Sequence, residues 1–541
     1  MTDLEIPIGK RTKAYRFFEM LPAIISYGSI ILLVVLSVFS PLIAAAYLLA
    51  VIITTLIKAI GIAYHTITGR SNLELAQKVN WHERLHQLEN PSKYIHKVSS
   101  AHHGFGYEAH TANLKDISAH PENYPKPSEV YNAVIIATYN EFYDILQPTL
   151  RSLLETTYDK DHMIVVLAYE ERGGEAISET VHKLAIEFEG KFKSFLLVQH
   201  PGDLPNEVRG KGGNITYAGF HLKEWLKKEN IDYNDVIVTT LDADNRAHKT
   251  YFDYVTYEYV IHPDRKQLSF QPICLFMNNI WDVPAPMRVV ATGNSFWNII
   301  SSMRPHTLRN FASHSQPMSA LAEMDFWSTR TIVEDGHQYW RSYFHFNGDY
   351  GVVPIFVPIY QDAVLSSTYV RTLKAQFIQL RRWAYGASDV PYVATRIFTK
   401  ERKVPFGPAT ARLIRLIDSH ITLASTAILI AIGGWVPLFV NSQAAHSIAA
   451  HQLPEVISHI QQVALVGLFI TVFLAFKMLP PRPLRYKRHR NIGMVLQWFL
   501  MPVTAVVYSS ASAFTSQTAL LLGRYFDKFD VTEKAVVKDK K

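Results

Sequence analysis

Val236-Ile-Val-Thr-Thr-Leu-Asp-Ala-Asp244 is the stretch on which the reading of this chain turns. A short uncharged run rich in β-branched residues suits the interior of a sheet. Two carboxylates follow at its carboxyl end, two positions apart. Working back along the chain, similar strand-like runs occur at 131–137 (YNAVIIA), 162–168 (HMIVVLA) and 194–199. Helical segments at about 146–155, 175–189 and 214–229 separate them. Strands alternating with helices predict an α/β domain with a doubly wound, mostly parallel sheet. Ligands of such sheets bind outside the carboxyl ends of the strands, which is where the polar clusters of this sequence fall.

Outward from this domain, both ends of the chain become apolar. No charged side chain occurs between Met20 and Ile57, and a spanning helix needs about 20 apolar residues. The stretch therefore predicts two spans, 21–39 and 42–63, broken at Ser40-Pro41, where proline interrupts helical hydrogen bonding. Lys58 falls near the inner end of the second span, where its ammonium can reach the interface. A cleaved signal peptide is a poorer reading, because the run is too long and lacks a small-residue cleavage site after a short core. Between Arg415 and Lys477 there is no lysine or arginine, and segments 414–440 and 460–479 predict two more spans around an outer loop, 441–459. The stretch 492–523 reads as one span plus an interfacial helix, or as a hairpin of two spans broken near Ser509-Ser510. The expected total is about six.

Charge orients this scheme. Lys10, Arg11, Lys13 and Arg16 precede the first span, Arg70 follows the second, and Arg482, Arg485, Lys487, Arg488 and Arg490 crowd the loop 480–490. The positive-inside rule puts all of these, the middle domain and the lysine-rich tail in the cytosol. The expectation is thus a multi-pass protein of the plasma (inner) membrane. The net charge of +7 is concentrated beside apolar runs, so it points to a lipid bilayer as partner and not to nucleic acid. The single cysteine, Cys274, excludes an intrachain disulfide and a cysteine-built zinc site. The chain divides into 1–70 (N-terminus and two spans), 71–367 (cytosolic domain), 368–411 (interfacial amphipathic helices), 412–523 (three to four spans) and 524–541 (tail).

Five clusters carry chemistry-bearing residues, and each has a bland reading beside the functional one. Asp242 and Asp244 either are solvated or share a divalent cation with a diphosphate; their hard oxygens suit Mg²⁺ or Mn²⁺. Thr138-Tyr-Asn-Glu141 either caps a turn or holds a base and ribose. Gly210-Lys-Gly-Gly-Asn214 opens a helix, and Lys211 there suits a phosphate, although the pattern is neither a P-loop nor a dinucleotide fingerprint. Glu334-Asp335 is a solvated pair or contains a general base. Gln379-Leu-Arg-Arg-Trp383 is an interfacial helix with ordinary anchors, or places Arg382 on a diphosphate and Trp383 on a sugar face.

Taken in chain order between two apolar regions, the T-Y-N-E turn, D-A-D, E-D and Q-x-x-R-W resemble the membrane-embedded family 2 glycosyltransferases, the group containing cellulose synthase and hyaluronan synthase. The resemblance covers about 131–386 by motif and the flanking regions by architecture. It implies a hexosyltransferase-type enzyme that transfers sugar from a UDP-sugar donor to a growing glycan, with inversion and a divalent metal, in polysaccharide biosynthesis. Q-x-x-R-W together with about six spans implies a processive synthase that passes the glycan through its own spans. Thr138, Tyr139 and Glu141 would contact uracil and ribose, Asp242 the diphosphate and Asp244 the metal. Asp335 would be the base, supported by Glu334; Gln379, Arg382 and Trp383 would hold the diphosphate and the acceptor. Phe529-Asp-Val-Thr-Glu-Lys534 is similar to the stretch after the last span in that group. Three departures stand out. Val333 replaces the threonine before the E-D, and Tyr169-Glu-Glu-Arg-Gly173 stands where an acidic base-binding pair is expected, so Glu170 or Glu171 takes that place. His314-Ser-Gln-Pro-Met-Ser319 stands where an aromatic, cysteine-containing acceptor motif is expected. Single-sugar transfer to a lipid carrier or glycolipid is therefore the alternative. A third reading, a transporter or channel that only binds nucleotide-sugar, would use Asp418 and His420 in a span. Trp435 and Trp498 are either interfacial anchors or a stacking path for a glycan.

Overall fold

The computed structural model describes residues 4–100, 104–442, 448–526 and 535. The strand-like runs pair into an eight-stranded sheet: β1 (Tyr131–Thr138), β2 (Met163–Glu170), β3 (Ser194–His200), β4 (Val236–Asp242), β5 (Arg246–Ala247), β6 (Leu268–Leu275), β7 (Ser315–Pro317) and β8 (Gly351–Tyr360), in the order β3-β2-β1-β4-β7-β6-β8-β5. β3, β2, β1 and β4 run parallel, and Ala137 lies opposite both Ala168 and Asp242, so their carboxyl ends are flush. In the far half, β6 and β8 are also parallel, and only the short strands depart from the parallel expectation. β7 is antiparallel to β4 and β6, and β5 is antiparallel to β8, which makes the sheet mixed. A three-residue strand Ser-Gln-Pro has no apolar run to announce it, and tertiary pairing alone creates it.

The pleat sorts the strand side chains to two faces. Val134, Ile136, Val165 and Leu167 meet the helices Tyr143–Leu154, Gly174–Phe188 and Tyr251–Ile261. Ala133, Ile135, Ile164 and Val166 meet the helix Lys211–Lys228. These strand residues are fully buried, and each large one contributes about 1.5–3 kcal/mol by leaving water. Helices therefore cover both faces, which leaves the carboxyl edge as the open side.

Among the described residues, four helices are long and apolar enough to cross a membrane: Lys13–Phe39, Pro41–Ala76, Phe406–Val440 and Arg490–Leu521. The break between the first two is at Ser40, which caps the second helix, with Pro41 in its first turn. A further helix, Ile448–Met478, begins inside the stretch read from sequence as an outer loop. Its early turns are helical because Leu453 and Ile457, four apart, bury in one cluster with Leu33, Leu48, Ile52 and Leu429 of the other long helices. Residues 443–447 of that loop, His102, His103 and the 529–534 motif lie outside the described residues.

Arg490–Leu521 is one helical run with no hairpin, and Ser509-Ser510 falls in a π-helical segment. It contributes no side chain to the cluster of Leu33 and Leu429. Both its ends rest on the globular side. Arg490 donates to the Trp281 carbonyl (2.5 Å), and Arg16, near the start of the first helix, donates to the carbonyls of Leu520 (2.9 Å) and Leu521 (3.0 Å). Between these ends, Ser516 donates to the Arg381 carbonyl (2.5 Å). Ser510 and Gln517 also donate to the Leu423 (3.3 Å) and His420 (3.0 Å) carbonyls, and Phe514 packs on Tyr27, so this helix rests on two long apolar helices as well as on the domain.

The parallel strands are tied together at their open edge by Asn214. Its side-chain amide donates to the carbonyls of Thr138 (3.3 Å) and Ala168 (3.1 Å). Asn214→Ala leaves these buried acceptors unpaired, and a loss of about 1–3 kcal/mol is expected, read as a lower thermal midpoint of the detergent-solubilised protein.

Candidate active site

Three of the sequence clusters meet at Lys211. Its ammonium lies 2.9 Å from Asp242 Oδ1 at the end of β4, 3.3 Å from Asp335 Oδ2 and 3.9 Å from Glu334 Oε1. Lys211 reaches them from the first turn of its helix because the two residues after it are glycines. A Cβ on Gly212 would fall 2.4 Å from the Ser328 carbonyl oxygen and 3.3 Å from Glu334 Cβ. One on Gly213 would fall 2.7 Å from a Glu207 carboxylate oxygen. Burial opposes a charge on Lys211, yet Asp242, Asp335 and Glu334 together hold its pKa above the usual lysine range. Burial, and then the neighbouring Asp335, push the Glu334 carboxyl well above the usual carboxylate range.

Glu334 and Asp335 open the helix Glu334–His345, where the helix dipole favours carboxylates. Asp335 is partly exposed, and its Oδ1 stands 3.8 Å from His314 Nδ1. That imidazole is fully buried; its Nδ1–H donates to the Phe311 carbonyl (2.9 Å) and its Nε2 accepts from Trp327 Nε1–H (3.2 Å). Burial lowers its pKa, so His314 is a neutral wall of the site with both nitrogens engaged.

Asp244 lies beyond the strand end. One carboxylate oxygen accepts from the Asp362 backbone N–H (3.2 Å), and its carbonyl accepts from Asn278 Nδ2 (3.0 Å). Among the described residues, no group of three or more His, Cys, Asp and Glu side chains is placed to hold a metal ion. The carboxylates of Asp242 and Asp244 are hard oxygen donors of the kind that Mg²⁺ or Mn²⁺ takes. The Asn278 side of this corner leads to the Q-x-x-R-W helix, Tyr369–Ala384. Phe276, two residues before Asn278, packs against Trp383 with ring centroids 5.9 Å apart. Gln379 accepts from Gln376 Nε2 (3.0 Å), Trp383 is 39% exposed, and Arg382 is partly buried.

The remaining candidates lie along the same edge but are turned inward. Glu141 accepts from Thr138 Oγ1 (2.7 Å), Tyr139 N (2.8 Å) and Asn140 N (3.2 Å). It closes the turn after β1, so Thr138 and Glu141 shape the backbone while Tyr139 stays partly exposed. Glu170, at the end of β2, is buried; its Oε2 accepts from Arg172 Nη2 (2.6 Å) and His200 Nδ1 (3.2 Å). His200 also donates to Glu207 (3.0 Å). Asp362, Asn278, His200 and Glu207 had no sequence signal, since each meets its partner only through the fold. His314 was visible only as part of an unexplained motif.

Burial would lower the His200 pKa, but hydrogen bonds and charge from Glu170 and Glu207 raise it from 6.5 to about 9. A raised cationic pKa stabilises the fold fully below the unfolded value and loses that contribution as pH climbs through the folded one. Thermal stability is therefore expected to fall between pH 6.5 and about 9, and His200→Gln to flatten that fall. Melting curves of both proteins across this range check it.

No protein-family model matches the chain, and no curated protein matches it. Among solved structures, it is similar to the mannosyltransferase PcManGT from Pyrobaculum calidifontis in complex with GDP-Man and Mn²⁺. Identity is 17% over 77% of this chain and 99% of that one, with a TM-score of 0.38. It is also similar to S. aureus TarS 1–349 in complex with UDP-GlcNAc, at 13% identity over 73% of this chain and 93% of the other, with a TM-score of 0.35.

Proposed function

We propose that the chain is an inverting, membrane-embedded glycosyltransferase that uses a UDP-sugar and builds a glycan at the cytosolic membrane face. The observation that carries this reading is the convergence of Asp242, Glu334 and Asp335 on Lys211 at the open edge of parallel strands. The donor diphosphate would lie at Asp242 and Asp244, beside the Lys211 ammonium. The acceptor hydroxyl oxygen would attack the anomeric carbon as the bond to the diphosphate breaks, and its proton would pass to Asp335. A Mg²⁺ or Mn²⁺ held by Asp244 and phosphate oxygens would stabilise the leaving group. Trp383, exposed beside Phe276, suits the apolar face of an acceptor sugar.

The processive version of this reading draws support from the Q-x-x-R-W helix and its contact with the long apolar helices. The alternative, single-sugar transfer to a lipid carrier, is favoured by the 314–319 segment, whose His314 is locked between Trp327 and Phe311. Product size on a gel separates the two: one added sugar per acceptor would refute the processive version. The transport reading would use Asp418, which pairs with Lys58 at 3.0 Å across two long helices, and His420.

Labelled UDP-sugars offered to purified protein with Mg²⁺ or Mn²⁺ test the reaction. Asp335→Asn is expected to lower transfer by about 10²–10⁴-fold with nucleotide binding and folding retained. Loss of binding together with turnover would assign Asp335 to the donor site instead. The proposed topology has four crossings, by Lys13–Phe39, Pro41–Ala76, Phe406–Val440 and Ile448–Met478, with Arg490–Leu521 held at both ends on the inner face. Cysteine at Ser442 is then expected to react with an impermeant reagent in intact cells, and cysteine at Arg488 only after permeabilisation.

A further inference from the structure

The residues before the first long helix are fastened into the globular domain beside the acidic pair. Ile6 buries in the cluster of Tyr339, Trp340, Tyr343 and Tyr392. The Leu4 carbonyl accepts from Tyr392 Oη (2.9 Å), and the Ile6 carbonyl accepts from Arg330 (3.0 Å). Between them, the Glu5 carboxylate takes Ser328 Oγ on one oxygen (2.6 Å) and Arg341 Nη1 on the other.

Both partners of Glu5 lead directly to the site. Arg341 belongs to the helix that begins with Glu334 and Asp335, and it is 2% exposed. Its guanidinium also donates to the carbonyls of Met324 (2.6 Å) and Phe326 (3.3 Å), so Glu5 supplies the anion that a buried cation needs. Ser328 is the other link. Its carbonyl oxygen is wedged against Gly212, one residue after Lys211, in the crevice that Glu334 Cβ also borders. The neighbouring Thr329 carbonyl accepts from Val208 N (2.8 Å), which ties the loop to the start of the lysine helix. Glu5 thus grips both the loop that precedes the acidic pair and the helix that carries it.

We infer that Glu5 is a positioning residue, and that segment 4–6 is a strap holding Glu334 and Asp335 in register with Lys211. The strap touches no reacting atom. It acts through Ser328 and Arg341, and in consequence couples the entry of the first apolar helix to the geometry of the acidic pair. This inference rests on the proposed transferase reading for its kinetic arm only.

The test compares full-length Glu5→Gln, Glu5→Asp and Ser328→Ala with the parent protein by hydrogen exchange and by transfer kinetics. Glu5→Gln is expected to accelerate exchange in 328–336 while the sheet stays protected. Turnover is expected to drop about 10- to 100-fold with donor KM unchanged, since a displacement of about 1 Å costs that much. Glu5→Asp restores part of the rate, and Ser328→Ala gives a smaller loss of the same kind without disturbing a charge. Unchanged exchange in 328–336, or a lower melting temperature with unaltered turnover, overturns the strap. Absence of transfer in the parent protein counts against the transferase reading alone, and the exchange arm still decides the strap.

Discussion

A single buried ammonium organises the open edge of this protein. Lys211 lies among Asp242, Glu334 and Asp335, which come from a strand end and a helix start nearly a hundred residues apart. Gathering carboxylates in a low-dielectric corner is costly unless a cation with good geometry offsets it. The lysine meets that condition only if its helix approaches within contact of the 328–334 loop, and Gly212 and Gly213 remove the side chains that would prevent this. The charge cluster and the close packing are therefore one constraint. Either would be strained without the other.

The sheet supplies the frame for that constraint. Flush parallel strands bring Thr138, Glu170 and Asp242 to one rim, and Asn214 ties two of the strand ends together. Gly173 shows how tight the rim is, since a Cβ there would fall 1.9 Å from the Tyr139 carbonyl oxygen. The apolar helices are joined to the same rim from two directions. The Arg490–Leu521 helix lies against the Q-x-x-R-W helix, and the segment ahead of the first long helix reaches Ser328.

Much of the rim was legible in the linear chain. Short apolar, β-branched runs marked β1 to β4, and D-A-D, G-K-G-G-N and E-D marked the residues that meet at Lys211. β7 was not legible, because three residues without an apolar pattern pair only when β4 and β6 bracket them. The inward turn of Glu170 was equally hidden, whereas closing the turn was one of the two readings open for Glu141. A carboxylate at a strand end looks the same in sequence whether it faces a ligand or, like Glu170, a buried histidine thirty residues away. The last apolar stretch offered a hairpin that the fold does not form, because Ser509-Ser510 continues the helix as a π-helical segment.

By itself the sequence determined the alternation of strands and helices, the apolar ends, and the set of acidic, basic and aromatic residues available for chemistry. These follow from local periodicity and composition, which neighbouring residues alone dictate. Only the tertiary structure decided which of those residues share a charge, which are consumed in holding the backbone, and which helices pack together. It also brought in Glu5, Asp362 and His200, which no motif marks. Such contacts join residues far apart in the chain, and their energy exists only once the sheet, the lysine helix and the acidic helix have packed together.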